Sequence, residues 1–246
     1  MLIYPRVCAV LIGCAMVWPG LAQQPLSAAP DNPTGRLGLQ ERCTEAPVDV
    51  TAASTNELRL ACDAATQALY LLARCNITPR RPLRIELSSE VRRPLGAAVL
   101  GLFDPKKDKV FITQYKNVAS LVRGTPFGEL PHVEFYRSII VHEVVHAVMH
   151  QNYKRLPGSY SAHEYPAYAL QIESLPSDVR DTYLQATNIG ADHTQSVFSD
   201  AILAFDPFFF AARAYQHFRS AADGCAHLAA LLEGEVAFIW TRPLSR

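Results

Sequence analysis

Ile139-Ile140-Val141-His142-Glu143-Val144-Val145-His146-Ala147-Val148 places two histidines four residues apart, with a glutamate directly after the first. On a helix, residues four apart share one face and lie about 6 Å apart along the axis. His142 and His146 can therefore bring both imidazoles to one metal ion. Glu143 points about 100° away from His142, which suits it to work on water rather than to ligate. Zinc fits this chemistry, because it lowers the pKa of a water it binds to about 7. A neighbouring carboxylate can then take the proton as that water attacks a carbonyl. The residues between the motif's Glu143 and His146, and those on either side of it, are apolar and uncharged, which predicts a helix buried inside a domain.

A third protein ligand is needed. His150 fails on geometry, since about 12 Å of helix separates it from His142 while Zn–N bonds are only about 2 Å. The better candidate lies in Ser161-Ala162-His163-Glu164-Tyr165-Pro166-Ala167-Tyr168-Ala169-Leu170-Gln171. A loop holding Asn152, Pro157, Gly158 and Ser159 lets a second helix return antiparallel and offer Glu164, with His163 as the alternative ligand. Ser161-x-x-Glu164 also spells a capping box, in which the glutamate would only close its own helix. Pro166 has to fall in the first turn or kink that helix.

With uncharged residues at 140, 144, 145 and 147 and a hydrophobic one at 148, this stretch resembles the zincin metallopeptidases. Glu164 stands where the resemblance to the gluzincin subgroup would place a glutamate ligand. The metzincin pattern is absent, because Met149 and Asn152 hold its places. Residues 95–190 also look similar to an uncharacterised family of exported bacterial zincin-like proteins. The resemblance implies Zn2+ held by His142, His146 and Glu164, with Glu143 as general base and a peptide or protein as substrate. It also implies an aspartate four residues after the ligand glutamate, orienting a histidine; here that position is Tyr168, which lacks the charge that raises ligand basicity. Tyr160, His163 and His193 are candidates for stabilising an oxyanion. Val110 to Gln114 resembles in position the edge strand along which zincins bind extended substrate.

The elements that must position these groups follow from periodicity and punctuation. Ser54 or Thr55 can cap a helix running to about Arg74, and Leu83 to Leu87 alternates as a strand. Leu95 to Phe103 and Lys109 to Tyr115 flank a turn-forming stretch and read as a hairpin. Further helices are expected at Glu134–Gln151, Ser161–Ser174, Ser177–Thr187, Pro207–Ser220 and Asp223–Leu232. The class is α+β: a small antiparallel sheet, then a mostly helical half carrying the active-site helix. Phe205 to Phe210 reads as core packing rather than a substrate pocket, and Arg80-Arg81 and Arg92-Arg93 as a solvated face.

Of 246 residues, 49% are hydrophobic and 19% charged, with 23 basic side chains balancing 23 acidic ones. The chain can bury a core and has no field to attract nucleic acid. Arg6 followed by an apolar run from Val7 to Val17 and Gly20-Leu21-Ala22 reads as a signal peptide over residues 1–22, too short to span a membrane. Periplasmic or secreted location follows, with lipoprotein anchoring at Cys14 as the rival. Residues 23–42 read as a flexible linker, and residues 43–246 as one zincin-like domain. Export would leave Cys43, Cys62, Cys75 and Cys225 as two disulfides. Cys62 and Cys75 read as lying on one helix about 20 Å apart and cannot pair with each other, which leaves two connectivities. The function expected is zinc-dependent peptide-bond hydrolysis. The alternative is a non-catalytic zinc-binding envelope protein or partner-binding module. The sequence fixes no oligomeric state.

Overall fold

The computed structural model describes residues 38–93, 96–187, 198–220, 223–236 and 238. The leader, Cys14, most of the expected linker and His193 lie outside the described residues.

Strand β1 (Leu39–Arg42) occupies the end of the stretch read as linker and pairs antiparallel with β2 (Val48–Ala52). In β2, Val48, Val50 and Ala52 are buried while Asp49 and Thr51 are half-buried, the alternation of a strand with one face on the core. Ser54 then accepts a hydrogen bond from the Glu57 amide and starts α1 (Thr55–Ala73), whose Leu58, Ala61, Ala65, Ala68 and Leu72 form the buried stripe. The chain re-enters the sheet as β3 (Leu83–Ser88), parallel to β2. A strand, a helix and a neighbouring strand joined in this way have to run parallel.

A short ribbon, β4 (Val91–Arg92) with β5 (Ala98–Val99), precedes β6 (Gly101–Asp104) and β7 (Lys109–Thr113). The last two form the expected hairpin around Asp104–Asp108, with Asp108 at φ 49° in the turn. Strand β7 pairs parallel with β3, so the order is β1-β2-β3-β7-β6. The sheet is thus mixed: its two outer pairs are antiparallel, as expected, and its centre is parallel. Strand β7 is internal, and β6 takes the edge position that the resemblance assigned to Val110–Gln114.

The helical half follows. Helix α2 (Tyr115–Val122) and a 3-10 turn (Pro126–Glu129) lead into α3 (His132–Asn152), which from Phe135 to Met149 is buried except at half-buried Arg137 and His146. Helix α4 (Tyr160–Glu173) packs between α3 and a later helix, with α5 (Ser177–Ala186) and α6 (Asp200–Phe205) around it. Helix α7 (Pro207–Ser220) covers the far side of α4, and α8 (Gly224–Glu233) closes on α7. The α+β class holds, with the sheet first and the helical layer carrying α3 after it.

Two clamps hold α3 against the sheet. Gln151 Oε1 accepts from the Arg80 and Arg81 amides, and Asn152 Nδ2 donates to the Thr78 carbonyl. Arg81 is exposed, as expected of a solvated face, and also makes a two-pronged pair with Asp108, at 2.6 and 2.7 Å, that ties the strand entry to the hairpin. Phe210 is fully buried, whereas Phe205 is 95% exposed; the aromatic run is core at one end only. The disulfides are Cys43–Cys62 and Cys75–Cys225. Cys75 lies just beyond α1, and the second bond fastens that exit to α8.

Candidate metal centre

His142 and His146 project from the middle of α3, one turn apart, and Glu164 faces them from the second turn of α4. Glu164 Oε2 lies 3.3 Å from His142 Nε2 and 3.5 Å from His146 Nε2, and the two imidazole nitrogens are 3.0 Å apart. Donors bonded to zinc at about 2.0–2.1 Å in a tetrahedron stand about 3.3–3.4 Å from one another. All three edges fall near that value, and the chemistry of the set, two imidazoles and a carboxylate, suits zinc. Glu164 Oε2 is buried and has no protein hydrogen-bond partner, which is costly unless a cation or proton satisfies it. The residues present therefore fit a divalent metal.

The choice between ligand and cap for Glu164 is decided by who satisfies the first turn of α4. Ser159 is the N-cap and accepts from the Ala162 amide, while Asp200 of α6 accepts from the Ser161 amide at 2.7 Å. Those two side chains do the capping, and Glu164 is released to face α3. Pro166 does not fall in the first turn. It stands in the interior of α4, where it removes the hydrogen bond that the Ala162 carbonyl would accept. The helix continues through it, buried between α3 and α7.

The electrostatics are those of a site that favours positive charge. Burial alone would push the Glu164 carboxyl up, but His146 and His142 overcome it and hold the carboxyl well below its usual range. Burial pulls His146 down, and Glu164 followed by Glu143 more than reverses this, so its imidazolium is favoured. Glu143 is 2% exposed, and burial raises its carboxyl above the ordinary value against the pull of both histidines. Its partner is the backbone amide of Phe103 on β6. His142 is fully buried, whereas the His146 side chain keeps 15% of its surface open. The cluster is therefore not sealed.

The remaining candidates separate clearly. Tyr168 packs its ring edge-on against His142 at 4.7 Å and against Phe210. His142 Nδ1 is 2.9 Å from Gln171 Oε1. Gln171 was not among the expected site residues, although its place seven residues after Glu164 puts it on the same helical face. His163 gives its ring hydrogen bond to the Pro157 carbonyl, and burial lowers its pKa. Tyr160 is 39% exposed. His150 is excluded as a ligand, as its spacing requires, and packs on Phe103.

Tyr153, at the C-cap of α3, lies outside the HExxH motif. Its hydroxyl is buried without a hydrogen-bond partner, and burial followed by the charge of Glu164 pushes its pKa well up. Seven residues after His146 on the same helical face, it was in principle readable from the spacing.

Fold and site together define an α+β protein with a His/His/Glu cluster able to hold a metal ion, spaced as in zincins. The chain belongs to a family of unknown function, DUF6639, which it matches over residues 48–241. No curated protein and no solved structure matches it.

Proposed function

We propose that the protein is an exported zinc metallopeptidase in which His142, His146 and Glu164 hold the metal and Glu143 is the general base. The observation that carries this reading is the triangle of donor atoms, 3.0, 3.3 and 3.5 Å on its edges. Zinc bound there would supply Lewis acidity and make water acidic enough to deprotonate near neutral pH.

The protein groups divide the remaining work. Glu143, raised by burial, is suited to accept a proton from water and pass it to the leaving amine. The unsatisfied hydroxyl of Tyr153 is a donor with capacity to spare, and we assign it to the oxyanion that develops on the carbonyl. Among the described residues strand β6 pairs only with β7, and it runs past Glu143, so an extended peptide can add to its other side and place a carbonyl near the cluster. Two disulfides belong to the oxidising compartment that an exported chain would reach. No helix among the described residues is long and apolar enough to cross a membrane.

The test pairs metal analysis with a single substitution. The mature protein should bind about one zinc per chain, and His142→Ala with His146→Ala should abolish binding. Glu143→Gln should keep the zinc and lose hydrolysis of an unstructured protein substrate. Undiminished hydrolysis by Glu143→Gln would sink the mechanism. Tight zinc binding with no hydrolysis by the unaltered chain would favour the alternative, a non-catalytic zinc-binding module.

A further inference from the structure

Gln171 is fully buried and Ser138 nearly so, and neither is needed to ligate a metal or move a proton. They nevertheless form a directed chain of hydrogen bonds ending at His142. Ser138 Oγ lies 2.7 Å from the Phe135 carbonyl, Gln171 Nε2 lies 3.2 Å from Ser138 Oγ, and Gln171 Oε1 lies 2.9 Å from His142 Nδ1.

The direction of each bond is forced from one end. A main-chain carbonyl can only accept, so the single proton of Ser138 is committed to Phe135. The Ser138 oxygen is then an acceptor towards Gln171, and only the NH2 side of the amide satisfies it. That turns the Gln171 oxygen to His142, whose Nδ1 must carry the proton. The lone pair of His142 is thereby left on Nε2, the atom 3.3 Å from Glu164 and 3.0 Å from His146 Nε2.

We propose that Ser138 and Gln171 are positioning residues: an uncharged relay that holds His142 in its Nδ1–H tautomer and so sets the metal affinity of the cluster. This inference rests on the metal-site reading above. It differs from the carboxylate solution in a way that can be measured. A carboxylate offers two acceptors and needs no orienting, whereas an amide can flip and present a donor instead. Gln171 works only because Ser138 fixes which way it faces. The relay is also contiguous with the ligands: Ser138 lies one turn before His142 on α3, and Gln171 two turns after Glu164 on α4.

The test measures zinc affinity of the mature chain by competition with a chromophoric chelator, with circular dichroism reporting the fold. The tautomer of His142 is read in the metal-free protein from imidazole 15N resonances. Gln171→Leu should weaken zinc binding about 10- to 100-fold. Ser138→Ala should weaken it about 10-fold and shift the His142 proton towards Nε2. Gln171→Glu should bind at least as tightly as the unaltered chain, and in that background Ser138→Ala should cost no more than about twofold, a strong non-additivity. Additive losses would overturn the relay, as would a His142 proton on Nε2 in the unaltered protein. If Ser138→Ala alone does not fold, the double variant and the 15N spectrum of the unaltered chain still decide. Failure of the metal-site reading looks different: the unaltered chain would then bind zinc no better than His142→Ala/His146→Ala, while the tautomer measurement would still judge the relay.

Discussion

Gly101 on the edge strand lies so close to Glu143 that a Cβ at position 101 would stand 2.6 Å from Glu143 Cγ and 2.9 Å from its Oε1. The Phe103 amide, two residues along the same strand, hydrogen-bonds the Glu143 carboxylate. The strand thus shapes the space in which the expected base sits, and only a residue without a side chain leaves that space open.

Gly101→Ala should therefore displace the Glu143 carboxylate while leaving His142 and His146 of α3 and Glu164 of α4 in place. Overpacking of this kind costs about 1–3 kcal/mol, which thermal unfolding would show. Hydrolysis should fall by about 100-fold, the usual scale for a catalytic group misplaced by about 1 Å, with zinc stoichiometry unchanged. Normal turnover by Gly101→Ala would mean that Glu143 is not held where the reaction needs it.

Zinc binding should strengthen as pH rises through and above 6.5, the ordinary value from which the imidazole of His146 is raised. A raised folded-state pKa stabilises the metal-free protein below 6.5, and that stabilisation is lost as pH climbs through the raised value. The cation competes for the same nitrogen, so each zinc bound in this window should release a proton from His146. Calorimetric titration in two buffers of different ionisation enthalpy measures that release. Binding that is flat with pH above 6.5 would show that His146 does not exchange its proton for the metal.

Tyr153→Phe isolates the proposed oxyanion donor. Its hydroxyl is buried without a partner, so removing it should leave stability unchanged or slightly improved. The turnover number should fall about 10- to 1000-fold, with zinc affinity and KM little altered. Equal losses in kcat and thermal stability would instead mark Tyr153 as a packing residue.

The legible parts of this molecule were those governed by local rules. The HExxH spacing, the Ser54-capped helix and the 104–108 hairpin each depend on residues close in sequence, and each appears as expected. Strand β1 has no apolar face to read: it is wholly exposed and held to β2 by backbone pairing and the Arg42–Asp49 ion pair. The parallel centre of the sheet, and with it the shift of the edge from β7 to β6, depends on where α1 returns the chain, which no local pattern encodes. Glu164 looked like either a cap or a ligand because the group that caps in its place, Asp200, lies 36 residues further on. Gln171, whose Oε1 lies 2.9 Å from His142 Nδ1, reaches that histidine only through the packing of α4 on α3, which no local pattern encodes.

The two disulfides should differ in what they stabilise. Cys43–Cys62 closes a separation of 19 residues, and Cys75–Cys225 one of 150. Loop-closure entropy assigns them about 3 and about 5 kcal/mol respectively. The shorter bond ties the chain before β2 to α1, within a region already held by strand pairing and the buried stripe of α1. The longer one covalently ties the exit of α1 to α8, which also packs on α7 and is joined to Lys154 by the Leu232 carbonyl and the Glu233 carboxylate. Cys75→Ala/Cys225→Ala should therefore lower the unfolding midpoint more than Cys43→Ala/Cys62→Ala and expose α8 amides to hydrogen exchange first. Neither pair touches the ligand cluster, so zinc stoichiometry should survive both substitutions at temperatures where the variants stay folded. A larger midpoint loss from Cys43→Ala/Cys62→Ala would mean that α8 is held by packing alone and that the long bond contributes little to stability.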